Sequence, residues 1–467
     1  MDTTGYTPEE PIVAIATALA PAALGIIRAS GKKSIELFSK VFSRPKALCE
    51  AAGNSIVYGW ICDYSSEVPR RIDEVLVSVF RSPKSFTGED MIEINCHGGP
   101  AVITEIYKLL TENGFRPANR GEFTFRAFIN GKSDLTKAEA VQEIVNARTD
   151  ASRGRAAGRL AGNLFEEIAE IKNQLITTLA SIEAEIEYPE DEETIADAFD
   201  DTQLKQVAQR LESLCSSWAS EKLYQDGAQV ILCGKTNAGK SSLFNTLLKE
   251  ERAIVSDIHG TTRDWLESWV SFEGIPARLF DTAGLRETDD VIEQHGVQRT
   301  LDLTEDADLV LYVIDSSSGI SLEDEEFFKK PISSIIILNK LDRLSEDEAI
   351  NIQNLAKEKF QNIPVLGLSA KTGNGTGVLV KKVSEVLRAS CGSEREKPGL
   401  GSARQKQCAE NALESVLHGI QAAQEGYTLD AVVQDIEDAL DSLGEITGIV
   451  TPEDILDTVF SKFCLGK

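Results

Sequence analysis

The stretch Gly234-Lys235-Thr236-Asn237-Ala238-Gly239-Lys240-Ser241 constrains this chain more than any other. It fits the pattern Gly-x-x-x-x-Gly-Lys-Ser/Thr. It stands between the apolar run Val230-Ile231-Leu232-Cys233 and the helix-forming run Ser242-Leu243-Phe244-Asn245-Thr246-Leu247-Leu248. A strand, a glycine-rich loop and a helix in that order aim backbone N–H groups and the positive end of a helix at a phosphate. Lys240 is expected to reach the β- and γ-phosphates, and Ser241 to ligate Mg²⁺. A single match of this kind also arises by chance in glycine-rich turns. The rest of the chain must decide.

Further elements follow in the order that a Ras-like GTPase requires. After the phosphate loop, whose expected contacts run through Asn237, Ala238, Gly239, Lys240, Ser241 and Ser242, comes Ser256-Asp257-Ile258-His259-Gly260-Thr261-Thr262. This is a candidate first switch, with Thr262 placed to ligate Mg²⁺. Asp281-Thr282-Ala283-Gly284 follows the strand-like Ala277-Arg278-Leu279-Phe280, and Asp281 would hold the water shell of Mg²⁺. Asn339-Lys340-Leu341-Asp342 follows the buried run Ile335-Ile336-Ile337-Leu338. The Asp342 carboxylate can accept from N1–H and the exocyclic amine of guanine, donors that adenine lacks there, and such a site strongly rejects an analogue without them. Ser369-Ala370-Lys371 would close over the base. Ordered matches on successive strand ends predict a Ras-like P-loop domain that hydrolyses GTP.

The residue after Gly284 is Leu285, where Ras-like enzymes usually carry a glutamine that orients the attacking water. An alkyl side chain cannot do that, so another group must supply the position and the charge. Asn237 in the loop resembles the ligand of a monovalent cation, normally K⁺, that takes the part of an arginine finger. Its expected companions are Ser256, Ile258 and Thr261. Asn237 read alone is equally a turn residue tolerant of left-handed backbone. The second requirement, an ordered water, points to Glu293 in Asp290-Val291-Ile292-Glu293.

At 467 residues the chain has room for several domains. A formal net charge of −27 argues against a broad electrostatic grip on nucleic acid. The 8 cysteines form no Cys-x-x-Cys pair, which suggests reduced thiols and a cytoplasmic setting. The apolar stretch 12–27 lacks a basic flank and contains Pro21, so it does not read as a signal peptide. No run reaches membrane-spanning length. Strand-like runs at 12–16, 26–28, 73–80 and 91–96, with a helix near 101–110, predict an α+β region over residues 1–131. Beyond it Leu164, Ile168, Ile171, Leu175, Leu179, Ile182 and Ile186 recur at helical spacing, and the acidic run 190–193 reads as a solvated loop. The predicted class is therefore α/β and α, multidomain. A helical domain in two parts, 132–224 and 389–467, flanks an inserted GTPase module at 225–388. Its halves are expected to pack as one bundle.

Outside the module, Gly25-Ile26-Ile27-Arg28-Ala29-Ser30-Gly31, Ser85-Phe86-Thr87-Gly88-Glu89-Asp90 through His97-Gly98-Gly99-Pro100, and Gly121-Glu122-Phe123-Thr124 with Asn130-Gly131-Lys132 carry a family resemblance. So does the tail Phe463-Cys464-Leu465-Gly466-Lys467. Together with the GTPase motifs, and over essentially the whole chain, these resemble the MnmE (TrmE) family of tRNA-modifying GTPases. The resemblance implies a homodimer formed through an N-terminal domain that binds 5-formyltetrahydrofolate or a related folate. It implies an FAD-dependent partner, MnmG or GidA, in a heterotetramer or larger complex. Together the two install an aminomethyl or carboxymethylaminomethyl group at C5 of the wobble uridine of certain tRNAs. Arg28, Glu93, Lys132 and Lys467 match the folate contacts; the competing reading of Arg28 and Glu93 is that they pair with each other or with neighbours. The cations suit the glutamate carboxylates, and Glu93 suits the donor edge of the pterin. Cys464 is the candidate nucleophile of the tail, able to add to an electrophilic intermediate or to help activate the uridine ring.

Some positions depart from the family. Thr236 stands where proline is typical, Ser256 where threonine is usual, and Leu465 where isoleucine is usual. Two other functions compete. A ribosome-assembly GTPase of the Era or EngA type shares the motifs but normally adds a basic KH-like module, and no such segment is present. A GTP-gated scaffold that only positions its partner has no need of a thiol in the tail.

Overall fold

The computed structural model describes residues 10–187, 201–250, 267–281, 307–329, 332–391, 399–425, 428–449, 453–464 and 466. The chain divides into two compact units. One holds Met1–Gln142, Phe165–Phe199 and Gln421–Lys467; the other holds Glu143–Leu164 and Asp200–Ile420. Each draws on sequence from both sides of the inserted module.

The first unit contains a six-stranded sheet in the order β3-β4-β5-β2-β1-β6. These strands are β1 (Ile12–Ile15), β2 (Leu24–Ser30), β3 (Ser55–Asp63), β4 (Arg70–Phe80), β5 (Met91–His97) and β6 (Arg116–Pro117). All pairings are antiparallel except β1 with β6. Alternation along β4, with Asp73, Val75, Val77 and Val79 buried, turns one face toward the core. The helix Pro100–Glu112 covers that face with Ile103, Ile106, Leu109 and Leu110. Residues of opposite parity on β2 and β5, among them Arg28 and Glu93, point to the other face. Strand β3 had no counterpart in the strand-like runs of the sequence.

The helix Asn163–Glu187 carries the expected stripe, with Leu164, Ile168, Ile171, Leu175 and Ile182 buried. Ile186 is exposed, so the stripe stops short of the helix end. The helix Glu453–Ser461 follows Leu429–Thr447 and packs Phe460 against Phe125, with ring centroids 5.2 Å apart. Phe463 stacks next to Phe460 at 5.5 Å.

The second unit is built on a sheet in the order β12-β11-β10-β7-β9-β8. It comprises β7 (Ala228–Gly234), β8 (Glu267–Phe272), β9 (Ile275–Asp281), β10 (Leu309–Asp315), β11 (Ser334–Asn339) and β12 (Val365–Gly367). Every pairing is parallel except β8 with β9. Strands buried on both faces need continuous apolar runs, and Ile335-Ile336-Ile337-Leu338 supplies one, each residue fully buried. The chain leaves β7 toward β9 and returns to β10 on its other side. That reversal of direction is where a doubly wound sheet opens a crevice for ligands at its carboxyl edge.

The neck of the inserted module is pinned by charge. Helix Thr202–Asp226 leads directly into β7, and Glu221 on it is 1% exposed. Arg159 donates from Nη1 to Glu221 Oε2 at 2.8 Å and from Nε to Glu143 Oε2 at 2.8 Å. Glu221 Oε1 accepts from Arg155 at 2.8 Å and from the backbone N–H of Gly399 at 2.8 Å. The segment entering the module is thus bonded to the segment that leaves it. No helix of the described residues is long and apolar enough to cross a membrane.

Candidate functional site

The carboxyl edge of the second sheet brings the nucleotide motifs together. The loop after β7 turns through Asn237, whose φ is 64°, and Gly239, whose φ is 99°. A Cβ on Gly239 would lie 2.2 Å from Asn339 Nδ2, so only glycine fits between loop and strand β11. Lys240 opens the helix Lys240–Glu250 and donates from Nζ to the carbonyls of Gly234 and Lys235 at 2.9 and 2.8 Å. Its ammonium sits inside the loop, where an arriving phosphate would meet it. Thr236, Asn237, Gly239, Lys240, Ser241, Ser242 and Lys340 line a pocket of about 430 Å³. Ser241 lines that pocket, and the buried Asp281 ends β9, the strand paired directly with β7. An oxygen donor set of this kind fits Mg²⁺.

Asn339 ties the guanine side to the phosphate side. Its Nδ2 donates to the Ala238 carbonyl at 2.9 Å, and its Oδ1 accepts from the Ala370 N–H at 2.9 Å. Ser369 donates from Oγ to Asp342 Oδ1 at 2.6 Å, and that bond holds the Asp342 carboxyl below the usual carboxylate range. Asp342 is therefore ionised and already oriented by one donor, with its second oxygen open for guanine. Replacing Asp342 by asparagine should lower GTP affinity by about two orders of magnitude or more. It should also raise affinity for xanthosine triphosphate, because the amide can donate to the second carbonyl of that base. Competition binding with the two triphosphates measures both changes; unaltered GTP affinity would disprove the guanine assignment.

In the first unit, Arg28 and Glu93 face each other across β2 and β5. Arg28 donates to Glu93 Oε1 from Nε at 2.9 Å and from Nη2 at 2.6 Å. Its Nη1 donates to the Gly466 carbonyl at 3.0 Å. The rings of Phe86 and Phe123 lie 6.0 and 5.8 Å from the guanidinium carbon. Gly466, with φ at 86°, is buried against the Ile15 carbonyl and Ala16. Cys464 is exposed between the buried anchors Phe463 and Gly466. Lys132 packs its Cγ near Gly88, in the same loop that carries Phe86 toward Arg28. Arg28 and Glu93 therefore project from one face of the sheet as a bonded pair. Of the cations expected at a folate's glutamate end, Arg28 is already engaged by Glu93 and by the tail.

His97, the last residue of β5, shares a hydrogen bond between its Nδ1 and Asp73 Oδ1 at 2.7 Å. That carboxylate pushes the imidazole above its ordinary range. Sequence reasoning had no signal for Asp315, at the end of β10, whose Oδ2 lies 2.7 Å from Lys340 Nζ. Ser256, Asp257, Ile258, His259, Gly260, Thr261, Thr262, Thr282, Ala283, Gly284, Leu285, Glu293, Leu465 and Lys467 lie outside the described residues, as do the acidic run 190–193 and residues 392–398.

Comparison with known proteins adds an independent line. Residues 135–464 match the family described as MnmE helical domain, and residues 11–132 match the one described as GTP-binding protein TrmE N-terminus. The tRNA modification GTPase MnmE of Treponema denticola is 51% identical over 470 residues, covering 99% of this chain and 99% of that protein. Its namesake in Treponema pallidum (strain Nichols) is 41% identical over 496 residues, again covering 99% of each. The one from Carboxydothermus hydrogenoformans is 39% identical over 467 residues, covering 98% of this chain and 100% of that protein.

Proposed function

The chain belongs to the MnmE family, and from that membership we propose that it is a GTP hydrolase acting in tRNA modification at the wobble uridine. The observation that carries the reading is the coexistence of two assemblies in one chain. One is a guanine-nucleotide edge joined through Asn339 and Asp342; the other is a tail whose Gly466 carbonyl is held by Arg28 beside Glu93.

In the first assembly, Lys240 and the loop N–H groups bind the phosphates, Ser241 and Thr262 hold Mg²⁺, and Asp342 selects guanine. Asn237, with Ser256, Ile258 and Thr261, holds K⁺. A cation there supplies the positive charge that an arginine finger gives elsewhere. Glu293 orders the attacking water in place of the missing glutamine.

In the second assembly, Glu93, oriented by Arg28, meets the donor edge of the pterin of a formyl-tetrahydrofolate. Lys132 and Lys467 are the cations for its glutamate carboxylates. The group delivered is aminomethyl or carboxymethylaminomethyl, at uridine C5, with an FAD-dependent MnmG-type partner. The protein works as a homodimer in the cytoplasm. Mass spectrometry of tRNA nucleosides from cells lacking the gene tests the whole reading. Loss of the C5 modification on wobble uridine supports it, and unchanged wobble uridines overturn it.

A further inference from the structure

The edge of the GTPase sheet contains a charged side chain that none of the nucleotide motifs includes. Asp315 is the last residue of β10 and stands in register with Asn339 of β11. Lys340 follows with φ at 65°, a left-handed turn into the short helix Leu341–Arg343. Its ammonium lies 2.7 Å from Asp315 Oδ2 and also donates to the backbone carbonyl of Asn237 in the phosphate loop. The other oxygen of Asp315 accepts from the Ser317 N–H at 3.0 Å and from its hydroxyl at 2.6 Å. Both carboxylate oxygens are thus engaged, which fixes the rotamer.

Exposure separates this tether from its neighbour. The side chains of Asp315 and Lys340 are 18% and 20% exposed, whereas Lys235 and Glu323, which also link the loop to its surroundings, are 45% and 78% exposed. Exposed ion pairs contribute little, while a charge-assisted bond shielded from water holds its geometry. Burial raises the Asp315 carboxyl, but the Lys340 ammonium and the Ser317 donors outweigh it and leave the group below the ordinary range. Asp315 is therefore charged throughout the neutral range.

We propose that Asp315 is a positioning residue for guanine-nucleotide binding: it holds the Lys340 ammonium on the Asn237 carbonyl, presetting Lys340 beside the base and Asn237 beside the phosphates. Lys340 and Asn237 both line the nucleotide pocket, so the order imposed on them is order the nucleotide need not supply. Without the carboxylate, the lysine gains freedom and the bond from Lys340 to the Asn237 carbonyl loses its support, leaving the Asn339 bond to the Ala238 carbonyl to hold the loop from this side.

The inference rests on the guanine-nucleotide reading of this edge. Its test is the dissociation rate of a fluorescent GDP analogue from the full-length protein, measured for the wild type, Asp315→Asn, Lys340→Met and the double variant. Asp315→Asn should release the analogue about tenfold faster. In the Lys340→Met background the same change should alter the rate less than about twofold, because the two act as a unit. Unchanged far-ultraviolet circular dichroism and melting of the nucleotide-free protein are the control for folding. Release by Asp315→Asn at the wild-type rate would overturn the proposal, as would an equal effect with and without Lys340. A wild-type protein that fails to bind the analogue would instead overturn the guanine reading itself, and this inference with it.

Discussion

GTP turnover by this chain is expected to fall by about 10³-fold when K⁺ is replaced by Na⁺ at equal ionic strength. The expectation begins with Leu285, an alkyl group where water is usually oriented by an amide. A charge must then come from elsewhere. Asn237 occupies a left-handed turn with its carbonyl taken by Lys340, and the residue lines the nucleotide pocket. A carboxamide oxygen beside loop carbonyls suits a large, weakly hydrated cation better than a small, strongly hydrated one. Asn237→Ala should bring the rates in the two salts together at the slow value, with GTP affinity changed much less. Single-turnover hydrolysis in matched K⁺ and Na⁺ buffers decides the matter. Equal wild-type rates would leave Leu285 without an explanation and end the cation reading.

Loss of tRNA modification, with GTP hydrolysis intact, is the expected result for Cys464→Ser. A tail thiol with no fixed surroundings would be a bystander. Here Phe463 is buried in an aromatic cluster and Gly466 is held by Arg28, so the exposed Cys464 lies between two anchored residues. Serine keeps the size and removes the stronger nucleophile. The variant should retain its melting temperature and GTP turnover, while modification of unmodified tRNA with the proposed flavin partner and folate drops at least about a hundredfold. Wild-type modification by the serine variant would assign all of the transfer chemistry to the partner.

The phosphate loop and the guanine motif were legible because each is contiguous and follows an apolar run that reads as a buried strand. Ile335 to Leu338 announces β11, and Asn339 to Asp342 follows it without a gap. Strand β3 was harder to see: Gly59 interrupts it, and its outward positions mix Ile56 and Tyr58 with polar neighbours, blurring the alternation. Contacts between distant residues were legible only as one alternative among several, as the pairing of Arg28 with Glu93 was, for a different reason. Arg28 and Glu93 are 65 positions apart, and only the antiparallel register of β2 with β5 sets them face to face. The resemblance identified both as ligand contacts; the sheet makes them partners of each other first. Asp315 escaped notice because a carboxylate after an apolar strand is common, and its meaning comes from a lysine on the neighbouring strand end.

The bond between Glu221 and the N–H of Gly399 has a consequence for engineering and for ancestry. A module spliced into a helical host must enter and leave at nearly one point, or the host cannot close around the splice. Here the Glu221 side chain on the entering helix accepts from the Gly399 N–H of the leaving segment at 2.8 Å. A few glycines bridging that junction could replace the whole module, and a foreign nucleotide domain with adjacent termini could be grafted in its place. Seen this way, the ion cluster of Arg155, Arg159 and Glu221 is a socket, and the switch domain is an exchangeable cartridge plugged into it.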